Sequence, residues 1–425
     1  MEEIIHSAAV TATTNLGAGV VRTPDGRVIF VPGAVEGDIA DVAVTRLRPS
    51  YGEGRLLALI SPSTHRIGTD CAVFDETGGG CGGCTFRHVS YEHELAVKTN
   101  YIKTAFRKCG IDILLDPFLT AGVDAARSKV TVPVSGGMSG YYAQRSHKIA
   151  ACEHCHLHDA ETDEIRVVLT KAQIPRLHHI TVRRGTGADN VRPAMVILRC
   201  GSGMNADAVS GTVGELRAMF PFVTSVWLET DGVYTHLAGD EAIYDTLAGC
   251  RFRISPDSFY QVNHAGAELL YRRAIEAAEL RDGERVADLF CGTGTIGIAA
   301  AKSAKIELFG IEINESAVND AKENAARNGV HARFICGDAA AYEWGDGAPD
   351  CVFLDPPRAG CGEELIRHLA RVKPGRIVYV SCEPATLARD AARLSEAGYR
   401  VNSVTPVDMF PRTGKVECVA EMMSR

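Results

Sequence analysis

From about residue 265 to the end of the sequence, apolar strands alternate regularly with helical patterns, and this alternation constrains the fold more than any other feature. The strand-like segments are RVADLF, ELFGIEI, ARFICGD, CVFLD and RIVYVSC. Such βαβ alternation builds a doubly wound parallel sheet. Ligands of these sheets bind outside the carboxyl ends of the strands, so we expect a functional site there.

A glycine-rich loop follows the first of these strands and opens a helix. It runs Asp288-Leu-Phe-Cys-Gly-Thr-Gly-Thr-Ile-Gly297, and its glycines let a ligand approach the backbone beside a helix amino terminus. Glu312 ends the next strand at the spacing of an acid that binds ribose hydroxyls. The loop therefore predicts a nucleoside cofactor, either a nicotinamide dinucleotide or S-adenosylmethionine.

Acidic residues at the carboxyl ends of successive strands favour S-adenosylmethionine. Asp288 precedes the loop, Asp338 follows the third strand, and Asp355 begins the run Asp-Pro-Pro-Arg after the fourth. These acids suit a sulfonium and an amino group, whereas they would repel a pyrophosphate. A hydride-transferring dehydrogenase is the alternative, and Asp338 could instead cap a helix. The loop residues expected at the cofactor are Gly292, Gly294 and Thr295.

A candidate nucleophile, Cys382, directly follows the apolar strand Arg376-Ile-Val-Tyr-Val-Ser. Pro384 and a new helix come next, and a helix amino terminus favours a thiolate. A thiolate that adds to C6 of a pyrimidine makes C5 nucleophilic toward a sulfonium methyl group, after which a base must remove the C5 proton. The alternative is a small core residue without a chemical role.

The candidate base is Glu417, at the end of the tail segment Asp408-Met-Phe-Pro-Arg-Thr-Gly-Lys-Val-Glu. It has apolar neighbours, Val416 and Val419, so we expect a raised pKa suited to accepting a proton. Taken alone, it could equally be an exposed strand residue. Arg358 stands where enzymes that methylate exocyclic amino groups usually carry an aromatic residue after Asp-Pro-Pro, which argues against that reaction.

The amino-terminal third of the sequence has a different character. Residues 8 to about 60 read as short strands with turns every 8 to 12 residues, which predicts a small β-barrel. The segment 90–109 has helical spacing. No run approaches the ~18 apolar residues of a membrane helix, and the first ten residues lack the features of a signal peptide. We therefore expect a cytoplasmic protein without a membrane partner.

Four cysteines could hold a metal centre. In a chain without an export signal, cysteines are better metal ligands, nucleophiles or core thiols than disulfides. Cys71, Cys81 and Cys84 lie close together in a glycine-rich loop, and Cys155 follows seventy-one residues after Cys84. Four thiolates suit a tetrahedral zinc or a [4Fe-4S] cluster, and the spacing alone slightly favours zinc. Cys152 competes with Cys155 for the fourth position.

Together these motifs resemble the bacterial RNA uridine-C5 methyltransferase family, whose 23S rRNA members carry an amino-terminal TRAM barrel and an iron-sulfur cluster. The segments that carry the resemblance are GVVRTPDGRVIFVPGAVEGD, SFYQVN, DLFCGTGTIG, FLDPPRAGC, YVSCEPATLARD and DMFPRTGKVE. They cover nearly the whole chain. One departure is Lys415, which stands where the family's base motif often has His.

The resemblance implies a fold class, a reaction and a set of site residues. The fold is multidomain: a TRAM-like, OB-like β-barrel over 1–62, a central α+β iron-sulfur and RNA-binding domain over 63–250, and a Rossmann-like α/β methyltransferase domain over 251–425. Cys382 is the nucleophile and Glu417 the base. The cofactor and target base are surrounded by Gln261, Phe290, Glu312 and Asp355. The cysteines Cys71, Cys81, Cys84 and Cys155 hold a [4Fe-4S] cluster.

The implied substrate is a uridine of 23S rRNA, which the protein methylates as a monomer that binds RNA and not DNA. A tRNA uridine-C5 methyltransferase and a non-catalytic iron-sulfur RNA-binding protein are the alternatives. The formal net charge is −8, so the phosphate contacts must be local. Residues 166–199 contain seven Lys and Arg against one acid, Asp189. Within this stretch we expect phosphate contacts from Arg183, Arg184 and Arg192. The alternatives are a merely solvated face and a second cationic stretch, 98–108.

Overall fold

The computed structural model describes residues 3–187, 192–344 and 347–425. The chain divides into two compact units. The first comprises Met1–Tyr101, Val132–Gln173 and Phe410–Lys415, and the second comprises Ile102–Thr131, Ile174–Met409 and Val416–Arg425. The division into three domains at residues 62 and 250 stays a prediction.

Six amino-terminal strands form one sheet of the first unit. They are β1 (Glu3–Ala9), β2 (Ala12–Thr13), β3 (Ala18–Arg22), β4 (Val28–Pro32), β5 (Ile39–Leu47) and β6 (Tyr51–Ser61). Their order is β1-β5-β6-β4-β3-β2. Buried positions alternate along β3 and β4, so one side of each strand faces a core that includes Val21, Ile29 and Val31.

The predicted closed barrel is not confirmed. Strand pairing among the described residues leaves β1 and β2 at opposite ends of the sheet. These two strands are consecutive in the chain: the Val10 amide donates to the Asp38 carbonyl next to β5, and the Thr11 amide donates to the Val20 carbonyl in β3. The chain thus passes from one end of the sheet to the other within two residues.

The remaining elements that lie wholly or partly in the first unit are α1 (Tyr91–Lys108), β7 (Lys129–Ser135), β8 (Met138–Tyr142), β9 (Ile149–Ala151) and α2 (Ala160–Lys171). The bounds of α1 agree with the helix predicted over 90–109. Strand β8 pairs antiparallel with β7 and with β9. Asp159 caps α2 by accepting a hydrogen bond from the Thr162 amide at 2.9 Å.

The central part of the second unit contains β10 (Leu177–Arg184), β11 (Ala194–Cys200), α3 (Ser210–Met219), β12 (Val223–Thr230) and β13 (Val233–Gly239), followed by the hairpin of β14 (Ile243–Leu247) and β15 (Cys250–Ile254). The four longer strands are ordered β13-β12-β11-β10. Strands β11 and β12 are parallel, and the other two pairs are antiparallel.

The carboxyl-terminal sheet of the second unit confirms the predicted doubly wound fold. Its elements are α4 (His264–Ala278), β16 (Arg285–Leu289), α5 (Thr295–Ser303), β17 (Glu307–Glu312), α6 (Glu315–Arg327), β18 (Ala332–Cys336), β19 (Cys351–Leu354), α7 (Glu363–Val372), β20 (Arg376–Ser381), α8 (Pro384–Glu396), β21 (Tyr399–Val407) and β22 (Glu417–Ser424). The order is β18-β17-β16-β19-β20-β22-β21. Strands β16 to β20 are parallel, whereas β22 runs antiparallel to both its neighbours. In the described part of the chain, no helix has the length and apolarity to span a membrane.

Candidate active site

The glycine-rich loop lies between β16 and α5, as predicted. Gly294 has a φ of 80°, and a Cβ there would lie 2.9 Å from the Ile298 side chain, so the position requires glycine. The buried Asp288 carboxylate accepts a hydrogen bond from the Gly297 amide at 2.9 Å. Burial raises the pKa of Asp288 to about 7. Asp288 therefore joins the strand to the first turn of the helix and stabilises the loop.

Glu312 lies at the carboxyl end of β17, facing the loop. One carboxylate oxygen accepts from the Gly292 amide at 3.1 Å, and the other accepts from the Asn314 amide at 2.9 Å. Two backbone donors fix the orientation of this side chain. The geometry leaves the carboxylate at the loop, where the sequence places the ribose-binding acid.

A cavity of about 530 Å³ opens beside the loop, within the usual range of small-molecule sites. The predicted residues that line it are Gln261, Phe290, Gly292, Thr295, Glu312 and Asp355. Burial raises the pKa of Asp355 to about 7. Carboxylates, an amide side chain and backbone amides around one cavity are donors and acceptors that fit a nucleoside with an amino acid tail.

Two predicted cofactor residues are not among the lining residues of this cavity. Gly294 shapes the loop turn instead. Asp338 is exposed, and its carboxylate accepts from the Ala340 amide at 2.9 Å, so it stabilises a turn and not the helix end that was the alternative. The sequence analysis missed Tyr271, which lines the cavity from α4 and shares a 2.9 Å hydrogen bond with the Thr295 hydroxyl. A tyrosine on an amphipathic helix carries no signal of such a role.

The ends of two neighbouring strands bring the candidate nucleophile near the candidate base. In the antiparallel pair β20–β22 the last partners are Ser381 and Cys418. Cys382 directly follows Ser381, and Glu417 directly precedes Cys418. The charge of Glu417 acts on the Cys382 thiol. Glu417 is 7% exposed and Cys382 is half-buried, so both side chains are shielded from bulk water.

The sequence predicts that a helix amino terminus favours the thiolate of Cys382, and this prediction is wrong because the pKa of the thiol is raised. Burial raises the pKa of its thiol, and the negative charge of Glu417 raises it further, while Arg358 lowers it. The expected benefit of a helix amino terminus is small because Glu383 caps α8 and its carboxylate accepts from the Ala385 amide. An acid therefore occupies the end of the helix that was predicted to stabilise the thiolate.

Phe410–Lys415, the part of the tail segment that belongs to the first unit, contacts buried charges of that unit. Glu94 and Lys98, both fully buried, form a 2.7 Å ion pair. Glu94 also accepts from the Arg412 amide at 2.8 Å. A Cβ on Gly414 would lie 1.7 Å from the Asn15 carbonyl oxygen, so only glycine fits there. These contacts fix the backbone conformation of the tail segment.

The cysteine-rich loop brings its thiols to one cavity. The cysteines that line this cavity are Cys71, Cys81, Cys84, Cys152 and Cys155. The Gly83 amide donates to the Cys81 sulfur at 3.4 Å, a contact that would also stabilise a thiolate. Among the described residues, however, no group of three or more His, Cys, Asp or Glu side chains is arranged to hold a metal ion. The thiols are suitable donors in kind, and the cluster itself is not shown.

The predicted phosphate contacts of the basic stretch are largely contradicted by burial. Arg183 and Arg184 are each 4% exposed. Arg183 donates to the carbonyls of Ser255 at 3.1 Å and Ser258 at 2.5 Å, and Arg184 stacks on the ring of Phe222. The two arginines are adjacent in β10 and face opposite sides of the sheet, and each is covered on its own side. Neither guanidinium can serve as a surface phosphate contact.

Other members of the two cationic stretches have mixed positions. Arg166 is buried and Arg192 is half-buried, whereas Asp189 lies outside the described residues. Lys98 is buried in its ion pair and does not contribute to a cationic surface. The exposed cations of α1 are Lys103, Arg107 and Lys108.

Known protein families match both ends of the chain. Residues 280–396 match a methyltransferase domain family, and residues 7–57 match the TRAM domain. An uncharacterized RNA methyltransferase of Halalkalibacterium halodurans is 35% identical over 444 residues, covering 96% of this chain and 94% of the relative. Another from Staphylococcus aureus is 34% identical over 457 residues, covering 98% and 97%.

A solved structure matches along almost the full length of the chain. It is the tRNA (uracil-54, C5)-methyltransferase of Pyrococcus abyssi in complex with S-adenosyl-L-homocysteine. The TM-score is 0.77 at 25% identity, and the match covers 98% of this chain and 100% of the other. Together with the methyltransferase domain match and the lining of the cavity, this similarity supports S-adenosylmethionine as the cofactor.

Proposed function

Because the chain belongs to the RNA methyltransferases, we propose that it transfers a methyl group from S-adenosylmethionine to C5 of a uridine in RNA. The observation that carries this proposal is the β20–β22 pairing, whose last pair, Ser381 and Cys418, adjoins Cys382 and Glu417 at the carboxyl end of β20. C5 methylation of a pyrimidine needs a nucleophile and a base, and these two side chains supply both.

Cys382 acts first in the proposed reaction. Its thiolate adds to C6 of the uracil ring, and the electron pair of the C5–C6 double bond becomes an enolate that is nucleophilic at C5. S-adenosylmethionine supplies the electrophilic methyl group. Glu417 then removes the C5 proton, the double bond re-forms, and Cys382 leaves as a thiolate.

Arg358 assists the nucleophile in this scheme. Its positive charge lowers the pKa of Cys382, whereas Glu417 and Asp355 raise it. The cation after Asp-Pro-Pro therefore favours the thiolate form of Cys382. An aromatic residue at this position would serve to hold a flat exocyclic amine, so the residue type supports C5 methylation over amine methylation.

We propose 23S rRNA as the substrate, because the TRAM domain and the cysteine-rich loop accompany each other in the rRNA-modifying members that the sequence resembles. The related structure from Pyrococcus abyssi acts on tRNA, which makes tRNA the second candidate. We propose that the protein acts in the cytoplasm, as a monomer with three domains.

Incubation of the purified protein with labelled S-adenosylmethionine and unmodified 23S rRNA should yield 5-methyluridine at a discrete site, because Cys382 and Glu417 supply the nucleophile and the base that C5 methylation needs. Nuclease digestion and mass spectrometry of the nucleosides measure the product. Unmodified bulk tRNA serves as the parallel substrate. Label in tRNA alone would replace the rRNA assignment, and label on an exocyclic amine or a ribose would overturn the C5 reaction itself.

We further propose that Cys71, Cys81, Cys84 and Cys155 hold a [4Fe-4S] cluster. Support comes from the shared cavity, from the soft thiol donors and from the Gly83 amide directed at one sulfur. The proposed methyl transfer moves electron pairs only, so a cluster has no required redox step. Its role in this proposal is to stabilise the loop.

Anaerobically purified protein should contain about four irons per chain, since a [4Fe-4S] cluster binds one iron per cysteine ligand. Elemental analysis and the visible absorption spectrum measure the content. The Cys155→Ser variant should lose iron, and Cys152→Ser is the matched control that should retain it. Stoichiometric zinc without iron would overturn the cluster, and equal loss in both variants would mean that Cys152 is also a ligand.

A further inference from the structure

One side of the sheet formed by β10–β13 carries polar and aromatic side chains. Residues opposed in neighbouring strands share a side of a sheet. The first such row joins His179, Arg199, Glu229 and Tyr234 across the four strands. The next row joins Thr181, Ile197, Trp227 and His236. Arg199 has a side chain that is 48% exposed, and His236 is also exposed, so this side is open to solvent at these positions. Thr181, Ile197 and Glu229 on the same side are buried.

The opposite side of the same strands forms the core. Its buried residues include Ile180, Val182, Val196, Leu198, Val226 and Leu228. This separation of apolar from polar residues is the pattern of a sheet with one packed and one solvated side. Aromatic residues on the solvated side therefore gain little from folding alone, and their presence there needs another reason.

Trp227 and His236 form an aromatic platform on the solvated side. Their ring centroids are 4.9 Å apart, with the planes inclined at 54°. The indole nitrogen of Trp227 donates to the Ser225 hydroxyl at 3.0 Å, which fixes the orientation of the ring. Trp227 is half-buried, so part of a fixed aromatic surface remains accessible. Such surfaces stack on unpaired bases whatever their sequence.

Cations outnumber acids beside this platform. The Thr131 and Thr181 hydroxyls are 2.8 Å apart, so Lys129, two residues before Thr131, is on the same side of the sheet. The pKa of Lys129 is lowered to about 8, first by burial and then by the positive charges of Arg183 and Arg199. The two rows of described residues contain one acidic residue, Glu229, and it forms an ion pair with Arg199. An excess of positive charge remains for an anion.

The same side of the sheet continues to the wall of the cofactor cavity. Arg183 donates to the backbone carbonyls of Ser255 and Ser258. Ser258 lines the cavity, together with the adjacent Phe259. A uridine bound at Cys382 would lie near this cavity, because Asp355, which lines the cavity, interacts electrostatically with the Cys382 thiol. The RNA that flanks this uridine would therefore pass beside this part of the sheet.

We propose that the sheet side formed by Lys129, Arg199, Trp227, Tyr234 and His236, here called the aromatic sheet face, binds the single-stranded RNA that flanks the target uridine. This inference rests on the proposed function for the position of that uridine. Bases stack on Trp227 and His236, and Lys129 and Arg199 contact phosphates. A single strand is favoured over a duplex because only unpaired bases can expose their faces to an aromatic platform.

Tryptophan fluorescence tests the aromatic sheet face directly. The chain has two tryptophans, so Trp344→Phe leaves Trp227 as the only indole. In this variant a single-stranded RNA of about 12 nucleotides should quench the emission, since that length covers a typical single-strand site. A fully paired duplex of the same RNA should quench less. Unchanged emission at saturating single-stranded RNA would overturn the proposal.

Binding measurements on further variants provide the second test. Combined Trp227→Ala and His236→Ala should weaken binding of the single strand by roughly 5- to 100-fold, with S-adenosylmethionine binding unchanged. Thr235→Ala, on the other side of β13, is the matched control and should bind normally. Arg199→Gln, at an exposed position, should reduce the salt dependence by up to about 0.7 log-log units per lost phosphate contact. Normal binding and an unchanged salt slope in all variants would contradict the inference.

RNA binding by the aromatic sheet face can be tested separately from C5 methylation. All binding experiments can be repeated with Cys382→Ala added, which removes the nucleophile and leaves the sheet unchanged. Quenching without any 5-methyluridine product would retain the RNA surface and reject the reaction. Normal methylation kinetics in the Trp227→Ala, His236→Ala protein would retain the reaction and reject the surface.

Discussion

The Cys382→Ala variant is expected to form no covalent complex with RNA that contains 5-fluorouridine, and to lose methyl transfer by about 10⁴-fold or more. Fluorine replaces the C5 hydrogen that the base must remove, and the base cannot remove fluorine in its place. The normal enzyme should therefore remain attached to the RNA through C6. Without the thiol there is no bond to C6 and no activation of C5. A denaturing gel that resolves free protein from protein–RNA adducts measures the result.

Cys109→Ala is the matched control, because Cys109 is half-buried like Cys382, directly follows α1 and is not among the residues proposed for the methyl transfer. It should trap RNA normally. Adduct formation should also accelerate as pH rises, because the pKa of Cys382 is raised and the thiolate is scarce at neutral pH. A Cys382→Ala adduct, or a rate of adduct formation that does not rise with pH, would contradict the assignment of the Cys382 thiol as the nucleophile.

The Glu417→Gln variant is expected to accumulate RNA that is both methylated and covalently attached to the protein. The base is needed only after methyl transfer, when C5 carries the methyl group and the proton together. Glutamine preserves the size of the side chain but cannot take up this proton. Turnover should fall by about 10²- to 10⁴-fold, and mass spectrometry of the nuclease-treated adduct should find the extra methyl group.

Glu421→Gln provides the comparison within the same strand. Glu421 lies four residues beyond Glu417 on β22, on the same side, and its carboxylate accepts from the Asn402 side chain at 2.9 Å. A glutamine oxygen can keep that contact, so near-normal turnover is expected. If Glu417→Gln also turned over normally, or stalled with an unmethylated adduct, another group would have to remove the C5 proton.

Local patterns were sufficient to predict the architecture of the catalytic sheet. The strand segments, the loop between β16 and α5, and helix α1 are where periodicity and glycine placement predict them, because each depends on residues close together in the chain. Phe290, Thr295 and Glu312 line the cavity for the same reason, since they follow consecutive strands of one parallel sheet.

Burial and long-range pairing could not be obtained from local patterns. Arg183 and Arg184 resemble a surface patch in the sequence, yet each is only 4% exposed, although adjacent residues of a strand face opposite sides. Lys98 similarly resembles a surface cation but is neutralised by Glu94 inside the first unit. Local charge counts do not reveal which neighbouring elements cover a side chain.

The sequence by itself determined the doubly wound sheet, the cofactor loop and the identity of Cys382 and Glu417 as candidates, because residue type and short-range spacing carry that information. Only the tertiary structure decided that these two residues lie near each other. They are 35 positions apart in the sequence, and the antiparallel β20–β22 pairing, which no local pattern specifies, brings the adjoining residues Ser381 and Cys418 together. The same holds for the pKa of Cys382, which is raised by burial and by the charge of a residue distant in sequence. Electrostatic interactions depend on distance in space, and folding sets that distance.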